Sequence, residues 1–130
     1  MDDYTADEVS EARAPIASLL SKSEKAQQKL APGSWQHTML EGNIRALRIA
    51  SPLIGEEVPA AADPAREELD SAVHALDSMI ERVANTQTKF APGTSQHSLQ
   101  RNRLKALRIA RWAVLARIGE DQRESREQLD

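Results

Sequence analysis

The chain of 130 residues contains no cysteine, which excludes disulfide bonds, thiol catalysis and thiolate metal ligands. Aromatic residues are also scarce, with two Trp, one Tyr and one Phe, and there are only five Gly and six Pro. This composition favours packed helices over a β-sheet, because strands are enriched in aromatic and β-branched residues. No apolar run approaches the roughly 20 residues of a membrane-spanning helix, and the acidic start is unlike a signal peptide. We therefore expect one helical domain in the cytoplasm, without a membrane partner.

An internal repeat is the strongest pattern in the sequence. Residues 29–50 and 89–110 align without a gap at an offset of 60, and 11 of the 22 aligned positions are identical. So many identical positions at a single offset predict that the chain consists of two tandem copies of one unit. We expect repeat 1 over about residues 5–54, a linker over about 55–63, repeat 2 over about 64–118 and an acidic extension over about 119–130.

The repeated Ala-Pro-Gly sequence predicts a turn in each copy, at residues 31–33 and 91–93. Proline lacks an amide donor and glycine permits turn conformations, so a helix should end there. Ser34 and Thr94 follow as residues that commonly cap the start of the next helix. Each copy is therefore expected to be a helical hairpin.

The other two helix starts have signals of their own. Thr5 and Glu8 form a capping-box pattern for helix 1, although Pro15 should kink that helix or mark its true start. Asp63 and Pro64 are typical of a cap and first residue, and they predict the start of helix 3.

Apolar residues recur at helical spacing in all four segments. In helices 2 and 4 the residues expected in the core are Leu40, Ile44, Leu47 and Ile54, and Leu104, Leu107, Val114, Leu115 and Ile118. Short connections between four such helices predict an all-α, up-down-up-down four-helix bundle. The alternative is two hairpins that open and pair with a second chain.

Six polar residues recur around the two turns: Gln27, Gln36 and His37, and Gln87, Gln96 and His97. In an up-down-up-down bundle both turns lie at one end, so we expect these side chains to gather around one end of the core. The favoured interpretation is structural, because each His occupies the third helical position, from which a side chain can bond to the cap amide. A small polar or anionic ligand between His37 and His97 is the alternative. Two imidazoles without repeated carboxylates are too few for a metal site, and we expect no cofactor.

Positive charge is concentrated in helix 4. Residues 95–118 contain six basic and no acidic residues, whereas residues 1–63, 64–94 and 119–130 carry net charges of -4, -2 and -3. The basic patch consists of Arg101, Arg103, Lys105, Arg108 and Arg111. Such a patch can bind nucleic acid by releasing phosphate counterions, or it can pair with acidic residues of neighbouring helices. We expect the aliphatic parts, or stems, of the Arg48 and Arg108 side chains to be partly buried. The charged group of Arg111 should either reach solvent or contact a partner chain.

A second apolar strip on helices 2 and 4 includes Ile49, Ile109 and Trp112. An additional apolar face of this kind is typical of a dimer interface. The sequence shows no phosphate-binding loop, no nucleophile elbow and no repeated carboxylate pair, and His74 is expected at a helix surface. We therefore predict a non-enzymatic protein-interaction or scaffold protein that forms a homodimer. A nucleic-acid-binding protein and a small-ligand binder at the Gln-His cluster are the alternatives.

Overall fold

The computed structural model describes residues 4–55 and 64–129, with side chains as far as residue 123. These residues form four α-helices and no strand, an arrangement consistent with a helical bundle. The helices are α1 (Ala6–Gln28), α2 (Trp35–Ile54), α3 (Arg66–Gln87) and α4 (Ser95–Leu129). None of them, over the described residues, combines the length and apolar character needed to cross a membrane.

The capping box predicted for α1 is confirmed. The Thr5 hydroxyl accepts from the Glu8 amide and the Glu8 carboxylate accepts from the Thr5 amide, both at 3.1 Å. Helix α1 continues through Pro15, so this residue does not mark its start.

The predicted start of α3 is wrong. The N-cap is Ala65, and the Glu68 carboxylate accepts from its amide at 3.2 Å. A glutamate at the third helical position therefore bonds to the amide of a cap residue two positions later than the one we expected. Asp63 and most of the expected linker lie in residues 56–63, outside the described residues.

Both turns have the predicted construction. Gly33 and Gly93 have φ values of +89° and +90°, which residues with a Cβ rarely adopt. Ser34 and Thr94 then accept from the amides of His37 and His97, each at 3.2 Å. The local sequence therefore determines where each hairpin bends.

Helices α2 and α4 are the central pair of the structure. Each contacts the other three helices, whereas the described parts of α1 and α3 do not contact one another. Ala46 and Ala50 of α2 and Ala106 and Ala110 of α4 are all buried in the core. Small side chains let two helix backbones approach closely, which suits helices that meet across the centre.

Large apolar side chains fill the space around this central pair. The fully buried ones are Ile16, Ile44, Leu47, Ile54, Leu69, Leu76, Leu107, Ile109 and Val114. Leu115, which the apolar spacing assigned to the core, is instead 40% exposed.

Helix α4 is the longest helix, with 35 residues against 20 in α2. It passes through Gly119 and continues to Leu129, so the acidic extension begins within the helix. The last core residue of α4 is Ile118. At 1.5 Å per residue, the helix continues for roughly 16 Å beyond it.

Candidate functional site

The first turn is held by a polar bridge between α1 and α2. The side-chain amide of Gln27 donates to a Glu41 carboxylate oxygen at 2.6 Å and to the His37 carbonyl oxygen at 3.4 Å. The bond from Gln27 is the main reason why the pKa of Glu41 lies below its ordinary value. Positive charge on Arg45, whose Nε lies 3.4 Å from Glu41, lowers this pKa further.

The second turn has a different bridge. Nε2 of Gln87 lies 3.5 Å from Nε2 of His97, at the limit of a hydrogen bond. The position equivalent to Glu41 is Arg101, which offers no acceptor for the glutamine. Each glutamine therefore links the end of one helix to the start of the next within its own hairpin.

The structure corrects two details of the predicted Gln-His cluster. The Ser34 and Thr94 amides donate to the carbonyls of Ala31 and Ala91, at 3.1 and 3.2 Å, so they do not bond to an imidazole. Gln36 and Gln96 are exposed, and only the other four side chains of the cluster are half-buried.

The hydrogen bonds of each Gln-His pair, among the described residues, stay within its own hairpin. Across residues 4–55 and 64–129, no hydrogen bond joins the pair around the first turn to the pair around the second. In the same part of the chain, no group of three or more His, Asp or Glu side chains could hold a metal ion. This geometry supports a role in holding each turn.

Two cations of the basic patch have acidic partners on neighbouring helices. Lys105 lies 3.0 Å from Glu8 of α1, and Arg111 binds Asp77 of α3. The Thr5 amide and then Lys105 lower the pKa of Glu8 below its ordinary value. The half-buried Arg111 is therefore paired within the chain. Both ion pairs agree with the prediction that the basic patch pairs with acidic residues of neighbouring helices.

The remaining arginines of the patch differ from these. Among the described residues, no ion pair joins Arg101, Arg103 or Arg108 to an acidic side chain. Arg108 and Arg48 are both exposed as whole residues. The three arginines therefore keep their positive charge unpaired within the described chain.

An open groove of about 450 Å³ lies between α3 and α4, beside Tyr4, which precedes α1. It is lined by Tyr4, Asp77, Ile80, Arg108, Arg111, Trp112 and Leu115. The rings of Tyr4 and Trp112 meet edge to face, with centroids 5.5 Å apart and planes at 81°. We call this feature the α3–α4 groove. It combines an aromatic pair, an exposed leucine and the unpaired Arg108.

The interface predicted from the apolar strip is only partly accessible. Ile109 is 1% exposed, because α4 contacts three helices and its apolar arc is covered within the chain. Ile49 is half-buried and lines a smaller groove of about 330 Å³ between α2 and α3. Only Trp112 of the predicted set lines the α3–α4 groove.

Sequence reasoning missed three exposed apolar residues: Trp35 at 71%, Leu99 at 46% and Leu115 at 40%. Trp35 carries a detectable signal, since it directly follows the N-cap Ser34 and its counterpart in the second copy is the polar Ser95. No sequence signal marks Leu115 as exposed, because its spacing matches that of the apolar residues of α4 that we expected in the core.

Comparison with protein-family models, curated proteins and solved structures finds no match to this chain. Its function is therefore argued from its own geometry.

Proposed function

We propose that the chain is a non-enzymatic, cytoplasmic protein-interaction module that acts as a homodimer through the α3–α4 groove. One observation carries the proposal: Arg108, unpaired among the described residues, lines the same groove as Trp112 and the exposed Leu115. Tryptophan, tyrosine and arginine are the residues most enriched at the energetic centres of protein interfaces. A leucine exposed beside them adds apolar area that a partner would remove from water.

We also propose the up-down-up-down topology for the four helices. Nε of Arg13 donates to the Ile54 carbonyl at 2.8 Å, which supports a contact between the first half of α1 and the end of α2. Arg82, late in α3, donates to the Met39 sulfur early in α2 at 3.3 Å. This contact supports a location of both turns at the same end of the bundle.

The proposed duplication of the hairpin has structural support beyond sequence identity. Glu8 and Glu68, 60 positions apart, both accept from the amide of their N-cap residue. Core positions also correspond, since Leu47 and Leu107 are both fully buried. A common ancestor of the two hairpins explains why packing and capping repeat with the same offset.

Matched substitutions on α4 test the homodimer. Leu115 and Leu99 are similarly exposed on one helix, but only Leu115 lines the groove. Sedimentation equilibrium should show a dimer for the unmodified chain and for Leu99→Asp, and a monomer for Leu115→Asp. Equal association of the two variants would contradict this use of the groove. Circular dichroism of each variant checks that the helices are retained.

The unpaired arginines also favour a second candidate function, nucleic-acid binding. Arg101 and Arg108 are seven residues apart and therefore lie about 20° apart around the helix axis, on one side of α4. Arg103 lies on another side, and Lys105 and Arg111 are engaged with acids, which weakens this candidate. A mobility-shift titration with mixed DNA and RNA tests it, and absence of binding at low salt rejects it.

A further inference from the structure

The two sides of the α3–α4 groove carry opposite charges. On α3 the exposed acids Asp70, Asp77 and Glu81 lie within about 40° of one another around the helix axis, and Asp77 lines the groove. On α4 the exposed Arg101 and Arg108 lie about 20° apart, and Arg108 also lines the groove. The surface that flanks the groove is therefore acidic along one helix and basic along the other.

Glu81 is the acid of this surface that remains available to a partner. Asp70 is paired with Arg66, and Asp77 with Arg111, within the chain. Glu81 has no ion pair in the part of the chain that the structure describes. An arginine of a second copy can therefore bind Glu81 without displacing an existing ion pair.

We propose that the two copies of the homodimer meet along this surface around a two-fold axis parallel to the helices, so that Arg108 of each copy binds Glu81 of the other. This inference rests on the homodimer proposed above and names the residues of the second copy that the basic side of the groove contacts. A two-fold axis in this direction sets α3 of one copy against α4 of the other, and each contact occurs twice. A two-fold axis across the helices would instead set α4 against α4, with arginine beside arginine, which is unfavourable.

The position of each residue along the helices determines which charges meet. Rotation about an axis parallel to the helices does not change this position, so residues of α3 and α4 that are level within one copy are also level between copies. The ion pair of Arg111 with Asp77 identifies one such level. Helices α3 and α4 run in opposite directions in the proposed topology, so Arg108, three residues before Arg111, is level with Ile80. Glu81 is the next residue, only roughly 1.5 Å further along α3.

The same axis brings the apolar groups of the two copies together. Because it runs along the groove, the groove of one copy faces the groove of the other. The aromatic pair of Tyr4 and Trp112 and the exposed Leu115 are then removed from water together with their copies. Apolar burial thus stabilises the dimer, and the contacts of Arg108 with Glu81 determine its orientation.

Charge reversal in two separate chains tests the contact. In a dimer of identical copies, Arg108→Glu sets acid against acid and Glu81→Arg sets base against base, so each should raise the dissociation constant at least about tenfold. An equimolar mixture of the two variants can form a mixed dimer in which both contacts again join opposite charges. We therefore expect the mixture to regain most of the lost association in sedimentation equilibrium.

Glu67→Arg is the matched control for Glu81→Arg. Glu67 is also an exposed acid of α3, but it lines the smaller groove between α2 and α3. Its reversal changes the net charge equally and should leave the dimer nearly unchanged. Mixed with Arg108→Glu, it should not restore association to that variant. Circular dichroism of each variant checks that the helices are retained.

The outcomes separate this inference from the function on which it rests. An unmodified chain that dimerises together with an unaffected Glu81→Arg would overturn the inference and leave the homodimer intact. Weakened association of both variants without recovery in their mixture would overturn the inference as well. Tighter association of Arg108→Glu would indicate α4 against α4 and contradict the proposed axis. A monomeric unmodified chain would overturn both the inference and the homodimer.

Discussion

Nη2 of Arg48 lies 2.7 Å from Oε2 of Glu24, so an ion pair joins α2 to α1 in the first hairpin. The equivalent arginine of the second hairpin, Arg108, has Ala84 at the position of that glutamate. Because the second hairpin has no carboxylate at this position, Arg108 lacks the ion pair that Arg48 makes, and it lines the α3–α4 groove. The two hairpins differ at the point where we propose that one of them binds a partner.

This difference supplies a matched pair of charge reversals. We expect Arg108→Glu to raise the dimer dissociation constant at least tenfold, because it replaces the unpaired cation of the groove with an anion. Arg48→Glu changes the net charge equally but lies outside the groove, and it should leave dimerisation nearly unchanged. Sedimentation equilibrium of both variants measures the difference, and equal effects would contradict a specific role for Arg108.

The bridge from Gln27 to Glu41 predicts a pH dependence. A carboxyl whose folded pKa lies below its ordinary value of 4.5 stabilises the fold above that value, and the contribution is lost as pH falls through the folded pKa. Gln27→Ala should raise the pKa of Glu41 toward 4.5 and weaken the loss of stability in acid. Gln87→Ala is the control, since Gln87 has an imidazole in place of a carboxylate. An NMR titration of the Glu41 side chain measures the shift, and an unchanged pKa in Gln27→Ala would contradict the bridge.

The core makes a separate prediction about stability. Leu47→Ala and Leu107→Ala each remove a fully buried side chain from the central helices, and each should lower the free energy of unfolding by about 2–5 kcal/mol. Leu99→Ala, at an exposed position of α4, should change it by about 0.5 kcal/mol or less. Urea denaturation followed by circular dichroism gives these values. A small loss in Leu47→Ala or Leu107→Ala would show that the central pair is packed differently.

The histidines provide a test of the turns. Gln27 donates to the backbone carbonyl of His37, and Gln87 lies within hydrogen-bond distance of the His97 imidazole, so neither contact leaves its own hairpin. The destabilisation caused by His37→Ala and His97→Ala should therefore be additive within about 0.5 kcal/mol. A double-mutant cycle by thermal unfolding measures the coupling. Coupling well above that value, or stabilisation of the unmodified chain alone by an added anion or metal, would instead indicate a shared ligand site.

Features that depend on neighbouring residues were predictable from the sequence. The capping box of Thr5 and Glu8 and the turns at Gly33 and Gly93 need only a few residues of chain, and all of them are present. The start of α3 was predicted two residues too early, because Asp63-Pro64 and Glu68 signal different cap residues and the structure has the cap at Ala65.

Features that depend on which helices meet were not predictable. Ile109 and Leu115 both fit an apolar stripe, yet one is buried and the other exposed. Their difference arises because α4 contacts three helices, and helical periodicity does not specify the number of neighbours. The same holds for the α3–α4 groove, which needs Tyr4 from the start of the chain beside Trp112 of α4.

Sedimentation equilibrium of the unmodified chain across a concentration series measures directly whether the protein forms the proposed homodimer. The chain has a mass of 14.4 kDa, so a homodimer should have twice this mass at micromolar concentration. A mass of 14.4 kDa throughout the series would show that the protein is a monomer and would contradict the proposed homodimer.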